Sequence, residues 1–312
     1  MPTVSKQLAT SALEPVQYAG LRFYIKRDDC LNQHFSGNKA RKFAYFLDHQ
    51  FQQVTKIVGY GSAQANSLYS LAALAKLKHW QLDYYCTAIA KWLKANPSGN
   101  YQGALALGAN IIEVPHSNLA KNLDDYMHQK FANKTNDDTT LFIPEGGRCQ
   151  YAEYGVKQLA VELIEQAKLR QLTDVKVMLP SGTGTTALYL QKSFSELGSD
   201  IQVVTCPCVG DENYLQQQFS SLCSERKYWP TILPTAQKYH FGKLYPELYQ
   251  QWQQVNQATN IEFDLLYDPI GWQSLVNAIN EQELEGDFIY IHQGGLLGNI
   301  SMEARYRRKN LN

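Results

Sequence analysis

The sequence predicts an α/β fold of two lobes on open parallel sheets with a cleft between them, and three observations carry that prediction. The 312 residues exceed the usual size of one compact core, so two units are expected. Short β-branched runs alternate with amphipathic helical patterns, which is the pattern of a parallel sheet covered on both faces. The run Val175-Lys176-Val177-Met178-Leu179-Pro180 empties into small and hydroxylated residues just where a helical pattern begins.

The elements follow in order. Residues 21–26 (Leu-Arg-Phe-Tyr-Ile-Lys) alternate like a strand, and Lys39 to Phe51 shows helical spacing through Phe43, Phe46, Leu47 and Phe51. Lys56 to Gly59 reads as a buried strand, 59–65 as a small-residue loop, and Asn66 to Lys78 as a helix. Leu82 to Ala88 is a strand, Pro97 to Gly103 opens a helix, Asn110 to Val114 is a strand, and Leu119 to Phe131 is helical. A solvated loop is expected over 133–140, then a long helix from Tyr151 to Leu172, and a strand at Ile201 to Thr205. Trp229 to Tyr249, rich in proline and aromatics, reads as irregular chain able to line a cleft, and Arg305 to Lys309 as a solvated helix end. The expected division is a smaller α/β domain over 48–148 and a larger one formed by 1–47 plus 149–312.

The segment Ser181-Gly182-Thr183-Gly184-Thr185-Thr186 has the makings of a phosphate cradle. Glycines allow close backbone approach, hydroxyls donate, and the amides opening the next helix add positive dipole. A nucleotide P-loop needs lysine then serine or threonine after the second glycine, and neither follows here. Gly182, Gly184 and Ala187 fit the relaxed dinucleotide pattern, but the acid expected roughly 20 residues on is missing, because the next strand runs into Cys206-Pro207-Cys208. A nicotinamide dehydrogenase is therefore carried only as a rival.

Composition narrows the partners. Lys and Arg total 29 against 29 acids, so nothing electrostatic points to nucleic acid or an anionic membrane. No window has the apolar length to span a bilayer and no signal core opens the chain, which reads as a cytoplasmic protein with a small-molecule ligand. The six cysteines are scattered and the seven histidines lack paired spacing, so neither a disulfide scaffold nor a metal site is expected.

Lys39 adds the chemistry. It follows a Gly-Asn turn at the first turn of a helix, where the helix dipole and neighbouring Arg41 and Lys42 disfavour its protonation and make it a plausible amine nucleophile. A lysine imine plus a phosphate cradle is what pyridoxal phosphate requires. Lys39 and Lys42, three apart, share a helix face and can serve one ligand. Asn66 begins its helix after small residues that leave room for a flat ring or a carboxylate at free amides.

Over nearly its whole length the chain resembles the 1-aminocyclopropane-1-carboxylate deaminase and D-cysteine desulfhydrase group of pyridoxal phosphate enzymes, within the tryptophan synthase β-like fold. The ordered matches are Lys26-Arg27-Asp28-Asp29, Gly37-Asn38-Lys39 with Lys42, Gly61-Ser62-Ala63-Gln64-Ala65-Asn66, Glu145-Gly146-Gly147-Arg148, Ser181 to Thr186, and His292-Gln293-Gly294-Gly295-Leu296. The resemblance implies that Lys39 holds the cofactor as an imine, that Lys42 helps bind its phosphate, that Asn66 hydrogen-bonds the ring hydroxyl and that Gly182, Thr183, Gly184, Thr185 and Thr186 wrap the phosphate. Ser181 and Gln293 join this cofactor set, the larger domain carries the cofactor, and a homodimer is implied.

Three positions depart from the family pattern. Ala65 replaces a serine that serves catalysis in the deaminases. Asp268-Pro269-Ile270-Gly271-Trp272 lacks the usual tyrosine after Asp-Pro and the glutamate that follows it in the deaminases, and Tyr267, read as lying at a strand end, is the aromatic able to substitute. Gln293 stands where the desulfhydrases commonly carry threonine. These changes argue against cyclopropane opening, which is carried as an alternative, and they weaken the desulfhydrase assignment too. The leading expectation is a lyase acting on a small amino acid such as D-cysteine, by β-elimination to a keto acid and ammonia. Lys39 is then the base, Tyr267 a second catalytic candidate, and Ser62, Gln64, Ser67 and Tyr239 candidate substrate contacts. A non-catalytic pyridoxal phosphate carrier is the alternative from another class.

Overall fold

The computed structural model describes residues 8–35, 37–119, 121–132 and 138–311. Its strands form two sheets. The larger has the order β1-β2-β10-β7-β8-β9, made from Leu13–Tyr18 (β1), Leu21–Lys26 (β2), Lys176–Met178 (β7), Gln202–Thr205 (β8), Thr231–Ile232 (β9) and Phe288–Ile291 (β10). The smaller has the order β5-β4-β3-β6, from Lys56–Tyr60 (β3), Gln81–Cys86 (β4), Asn110–Glu113 (β5) and Thr140–Phe142 (β6). Both are parallel except at one edge, where β1 runs antiparallel to β2. The sequence reading did not include β1. Its hairpin turn is Ala19-Gly20, two residues at φ 52 and 75, the geometry that matches the twist of paired strands.

Burial explains the patterns. The central strands β7 and β10 are buried at every residue, as a sheet covered on both faces demands, whereas edge strand β1 alternates. Eleven α-helices are found among the described residues: Gly37–Asp48 (α1), Asn66–Lys78 (α2), Lys91–Ala95 (α3), Gly99–Ala106 (α4), Leu123–Met127 (α5), Ala152–Leu169 (α6), Thr185–Glu196 (α7), Glu212–Leu222 (α8), Pro246–Thr259 (α9), Asp268–Asn280 (α10) and Leu297–Arg308 (α11). The helix expected over 119–131 is divided, with α5 passing into a π-helical turn at His128–Ala132. Of the loop expected over 133–140, residues 133–137 lie outside the described residues, and its end is strand β6. No described helix is long and apolar enough to cross a membrane.

Helix α1 couples the two sheets. Phe43, Phe46 and Leu47 join the core of the smaller sheet with Leu68 and Leu71 of α2, while the opposite side of α1 meets α6. The helices approach so closely that a Cβ on Gly155 would lie 2.0 Å from the Arg41 carbonyl oxygen. Beneath that crossing, Arg41 pairs with Asp28 at 2.8 Å and with Glu162 at 2.6 Å, and Glu162 also takes Lys26 at 2.7 Å. Ser11 Oγ donates to Asp28 Oδ1 at 2.6 Å, which completes a buried network. Removing one member leaves uncompensated charge in the interior, so Glu162→Ala is expected to cost about 3–5 kcal/mol, read from chemical denaturation midpoints. Loss of under 1 kcal/mol would show the network to be dispensable.

Candidate active site

The carboxyl ends of the parallel strands from both sheets converge on one cleft of about 640 Å³, the usual position for a ligand in open α/β sheets. The loop after β7 supplies 180–184, the loop after β3 and the start of α2 supply Ser62 and 64–67, the loop after β10 supplies 293–295, and the first two turns of α1 supply Lys39 and Lys42. Segments far apart in sequence thus face one space.

Lys39 sits in the first turn of α1, with its Nζ 3.2 Å from Asn38 Oδ1. Its ammonium is destabilised to a pKa of about 8, first by burial, while the carboxylate of Asp264 opposes the shift. This corrects the expected cause. Arg41 turns away into the ion-pair network with Asp28 and Glu162, so a neighbouring guanidinium does not set the chemistry of Lys39. Lys42 is more deeply buried, at 2% exposure, and its Nζ donates to the Gly146 carbonyl. Burial, then the charge of Lys39, holds its pKa well below the usual lysine value. No carboxylate among the described residues pairs with it.

Across the cleft, Gly184 caps α7 at φ 67, and a Cβ there would press to 2.4 Å from the Phe219 ring. Only glycine fits that turn. The hydroxyls of Thr183 and Thr185 lie 2.9 Å apart, and Thr186 Oγ1 is buried without a hydrogen-bond partner. Ser181 differs from expectation. Its Oγ is spent on Thr205 Oγ1 at 2.6 Å, so this residue braces the loop against β8 rather than offering its hydroxyl to the cleft.

Asn66 opens α2 after Ala65, which stands at the N-cap with no side-chain cap, so the Asn66 amide is not consumed as a helix cap. Gln293 bridges the two sides. It accepts from Asn38 Nδ2 at 2.8 Å and donates to the Pro180 carbonyl at 2.7 Å, which ties the Lys39 turn to the glycine loop. His292, from the same motif, is fully buried outside the cleft lining, stacked on Phe263 at 4.7 Å. Its Nδ1, assigned as the acceptor, takes the Gly294 amide at 3.1 Å.

The remaining candidates divide. Ser62 and Ser67 line the cleft, with Ser67 Oγ 3.4 Å from the Tyr84 hydroxyl. Gln64 also lines it, but its amide is drawn toward α4, donating to the Ser98 carbonyl at 3.2 Å. Tyr239 does not line it. Its hydroxyl donates to Gln273 at 2.8 Å and its ring meets Tyr245, because the 229–249 segment brings Phe241 and Gly242 to the cleft instead. Tyr267 lines the cleft from the N-cap of α10, not from a strand end, with its hydroxyl 3.3 Å from where a Gly182 Cβ would stand. Burial, then the Asp264 charge, keeps its phenol protonated. Arg305, expected on a solvated helix end, lines the cleft from α11. Sequence reasoning missed Asp264, whose lone carboxylate between apolar residues gave no motif.

A family model described as pyridoxal-phosphate dependent enzyme matches residues 9–237. The chain belongs to this family. A "Putative 1-aminocyclopropane-1-carboxylate deaminase" of Thermotoga maritima is 22% identical over 296 residues, covering 92% of each protein. A "Putative D-cysteine desulfhydrase 2, mitochondrial" of Oryza sativa subsp. japonica is 24% identical over 340 residues, covering 91% of this chain and 80% of that one. Among solved structures, a 1-aminocyclopropane-1-carboxylate deaminase homologue superposes with a TM-score of 0.77 at 20% identity, over 100% of this chain and 96% of that one. Threonine deaminase isoform 2 of Solanum lycopersicum gives 0.66 at 13%, over 98% and 88%. These structures show the shared fold. The nicotinamide alternative gives way to the family match.

Members of this pyridoxal-phosphate family need an amine for the aldehyde and a counter-charge for the phosphate, and the residues present fit both. Lys39 supplies a readily neutralised amine. The Lys42 amine, whose charged form burial disfavours until a counter-charge arrives, and the unpaired hydroxyl of Thr186 are two buried groups that an anion would satisfy. Lys42→Met is therefore expected to weaken cofactor binding about tenfold to a hundredfold, the worth of a charged hydrogen bond, without lowering stability of the cofactor-free protein. Spectroscopic titration with pyridoxal phosphate and a thermal melt check the two halves. Unchanged affinity would remove Lys42 from the cradle.

Proposed function

We propose that this pyridoxal-phosphate dependent enzyme is a lyase that eliminates a β-substituent from a small amino acid, in the manner of a D-cysteine desulfhydrase, with Lys39 as both anchor and base. The observation that carries the reading is the placement of a half-buried, readily deprotonated Lys39 amine in one cleft with the hydroxylated glycine loop. Lys39, Lys42, Asn66, Thr183, Thr185 and Thr186 would hold the cofactor, with Ser181 and Gln293 fixing the loops around it. When bound, the cofactor supplies an electron sink for the charge left on the α-carbon as its proton departs.

The chain's own groups perform the rest. A lysine near pKa 8 is partly neutral at physiological pH, so Nζ can attack a carbonyl and later accept a proton without a large penalty. The Asn38 side chain holds that nitrogen at 3.2 Å, and Gln293 holds Asn38. The open amides at the start of α2 suit a substrate carboxylate, with Ser62 beside them. Tyr267, kept protonated, can donate a hydrogen bond but not act as a phenolate base.

Ring opening of a cyclopropane is less well supported, because the position before Asn66 is Ala65 and the nearest hydroxyl, Ser67, faces Tyr84. That same absence favours the second reading, a pyridoxal phosphate carrier without turnover. Incubation with D- and L-amino acids and assay of keto acid separates the two, since a carrier releases none. The resemblance further implies a homodimer, read by light scattering.

Borohydride should fix the cofactor on Lys39, and Lys39→Ala should abolish both the trapping and at least a thousandfold of any turnover, a size set by loss of general base and nucleophile together. Trapping on another lysine would refute the assignment. Because burial lowers the Lys39 pKa, its reactive neutral form grows as pH rises through about 8. The rate of cofactor uptake by the cofactor-free protein should follow that midpoint. A midpoint at the ordinary lysine value of 10.5 would contradict the burial argument.

A further inference from the structure

The last helix carries the cleft past the residues assigned above. Gly298, Ser301, Met302 and Arg305 line it at steps of three and four, so one face of α11 forms a continuous wall. That wall begins beside the first turn of α2. A Cβ on Gly295 would lie 3.0 Å from Asn66 Nδ2, and one on Gly298 would lie 3.5 Å from Asn100 Nδ2, which donates to the Gln64 carbonyl. Met302 stands about 6 Å further along the helix axis, at about 1.5 Å per residue. Trp92 of α3 lines this end of the cleft too, with the Arg308 guanidinium of the last α11 turn 5.9 Å from its ring centroid.

Arg305 brings a charge here that no acid answers. Half-buried, it folds back along its own helix and gives Nη1 to the Met302 thioether at 3.1 Å, a weak acceptor for one of five N–H bonds. Glu303, the acid of the same helix, is taken by Arg307 at 2.7 Å, and no carboxylate among the described residues pairs with Arg305 or Arg308. Basic residues in a last helical turn complement the helix dipole. The dipole does not explain why one guanidinium is laid against the cleft wall.

We propose that Arg305 binds an anionic group at the far end of the substrate, so that the amino acid taken by the cleft carries a carboxylate on its β-substituent. This site rests on the lyase reading proposed above and narrows its substrate class. The planar guanidinium matches a carboxylate bidentately, and the apolar surfaces of Met302 and Trp92 beside it strengthen the pair relative to one in open water. The two other anions of the reaction have places of their own. The α-carboxylate is assigned to the open amides at the start of α2, and the cofactor phosphate to the loop at 181–186.

The test uses the cofactor-loaded protein and its absorbance change on binding amino acids. The probes are S-carboxymethylcysteine and S-carbamoylmethylcysteine, which match in size and differ by carboxylate against carboxamide, each in both enantiomers. In one hand the acid should bind about tenfold or more tightly than the amide, and Arg305→Gln should cut that preference below about threefold, the difference one charged hydrogen bond makes. Arg305→Lys should keep part of it, and added salt should shrink it. Thermal melts and pyridoxal phosphate titration should be unchanged in both variants. Equal affinities in the unaltered protein, or a preference that survives Arg305→Gln, overturn the proposal. So does an equal loss for both probes, since the guanidinium then holds the α-carboxylate they share, and so does a loss of cofactor affinity. Keto acid and mercaptoacetate released from the preferred acid support the site and the lyase reading together. Preferential binding without release refutes the lyase reading and leaves the anion site standing. Release without preference does the reverse. If no amino acid perturbs the spectrum, both fail.

Discussion

The arrangement depends on what it costs to bury lysine. One face of α1 places Lys39 and Lys42 in the cleft, where desolvation disfavours both charges and the charge of Lys39 further disfavours that of Lys42. The two amines respond differently because their surroundings differ. Lys39 has the distant carboxylate of Asp264 and keeps a pKa near 8, which leaves it ready to act as a nucleophile. Lys42 meets a carbonyl and the Lys39 amine but no carboxylate among the described residues, so its charged form needs an anion beside it.

Such a helix needs anchoring, and the anchor is also electrostatic. Two residues on from Lys39, Arg41 points the other way and enters the network of Asp28, Glu162 and Lys26 under the α1–α6 crossing. The same turn of helix therefore carries a fully paired cation inward and two incompletely paired cations toward the ligand. Gln293 fixes the other boundary, since one amide holds both the Asn38 turn and the start of the glycine loop. A longer side chain at this position spans two loops that a threonine could not, which gives its departure from the desulfhydrase pattern a structural meaning.

Acid chemistry in the cleft follows the same rule. Asp264 and Asp268 are neighbours on one turn, both pushed upward by burial, but their hydrogen bonds separate them: Asp268 is enclosed by Tyr290 and the Asp264 amide, whereas Asp264 keeps one oxygen open. An incompletely bonded polar group in a cleft is a statement about what enters it. The unpaired Thr186 hydroxyl and the Lys42 amine, which lacks a counter-charge among the described residues, have that character.

Much of this was legible in the sequence because it is local. Periodicity located α2 and β2 to the residue and β3 and α6 to within a few, and glycine beside hydroxyls marked the loop at 181–186. The Gly-Asn-Lys turn singled out Lys39, and the ordered motifs pointed to the family. What the sequence left open is which way side chains face. Arg41 and Lys42 are adjacent in the chain and point to opposite environments, Ser181 looks like a cradle hydroxyl but is held by Thr205, and Tyr239 is buried away from the cleft that Phe241 reaches. Asp264 and Lys39, 225 positions apart, face one cleft only once the chain has folded. Local pattern sets which elements form, because propensity and period act over a few residues. Long-range packing decides which polar atoms are left unpaired, because pairing depends on neighbours that the chain brings together only on folding.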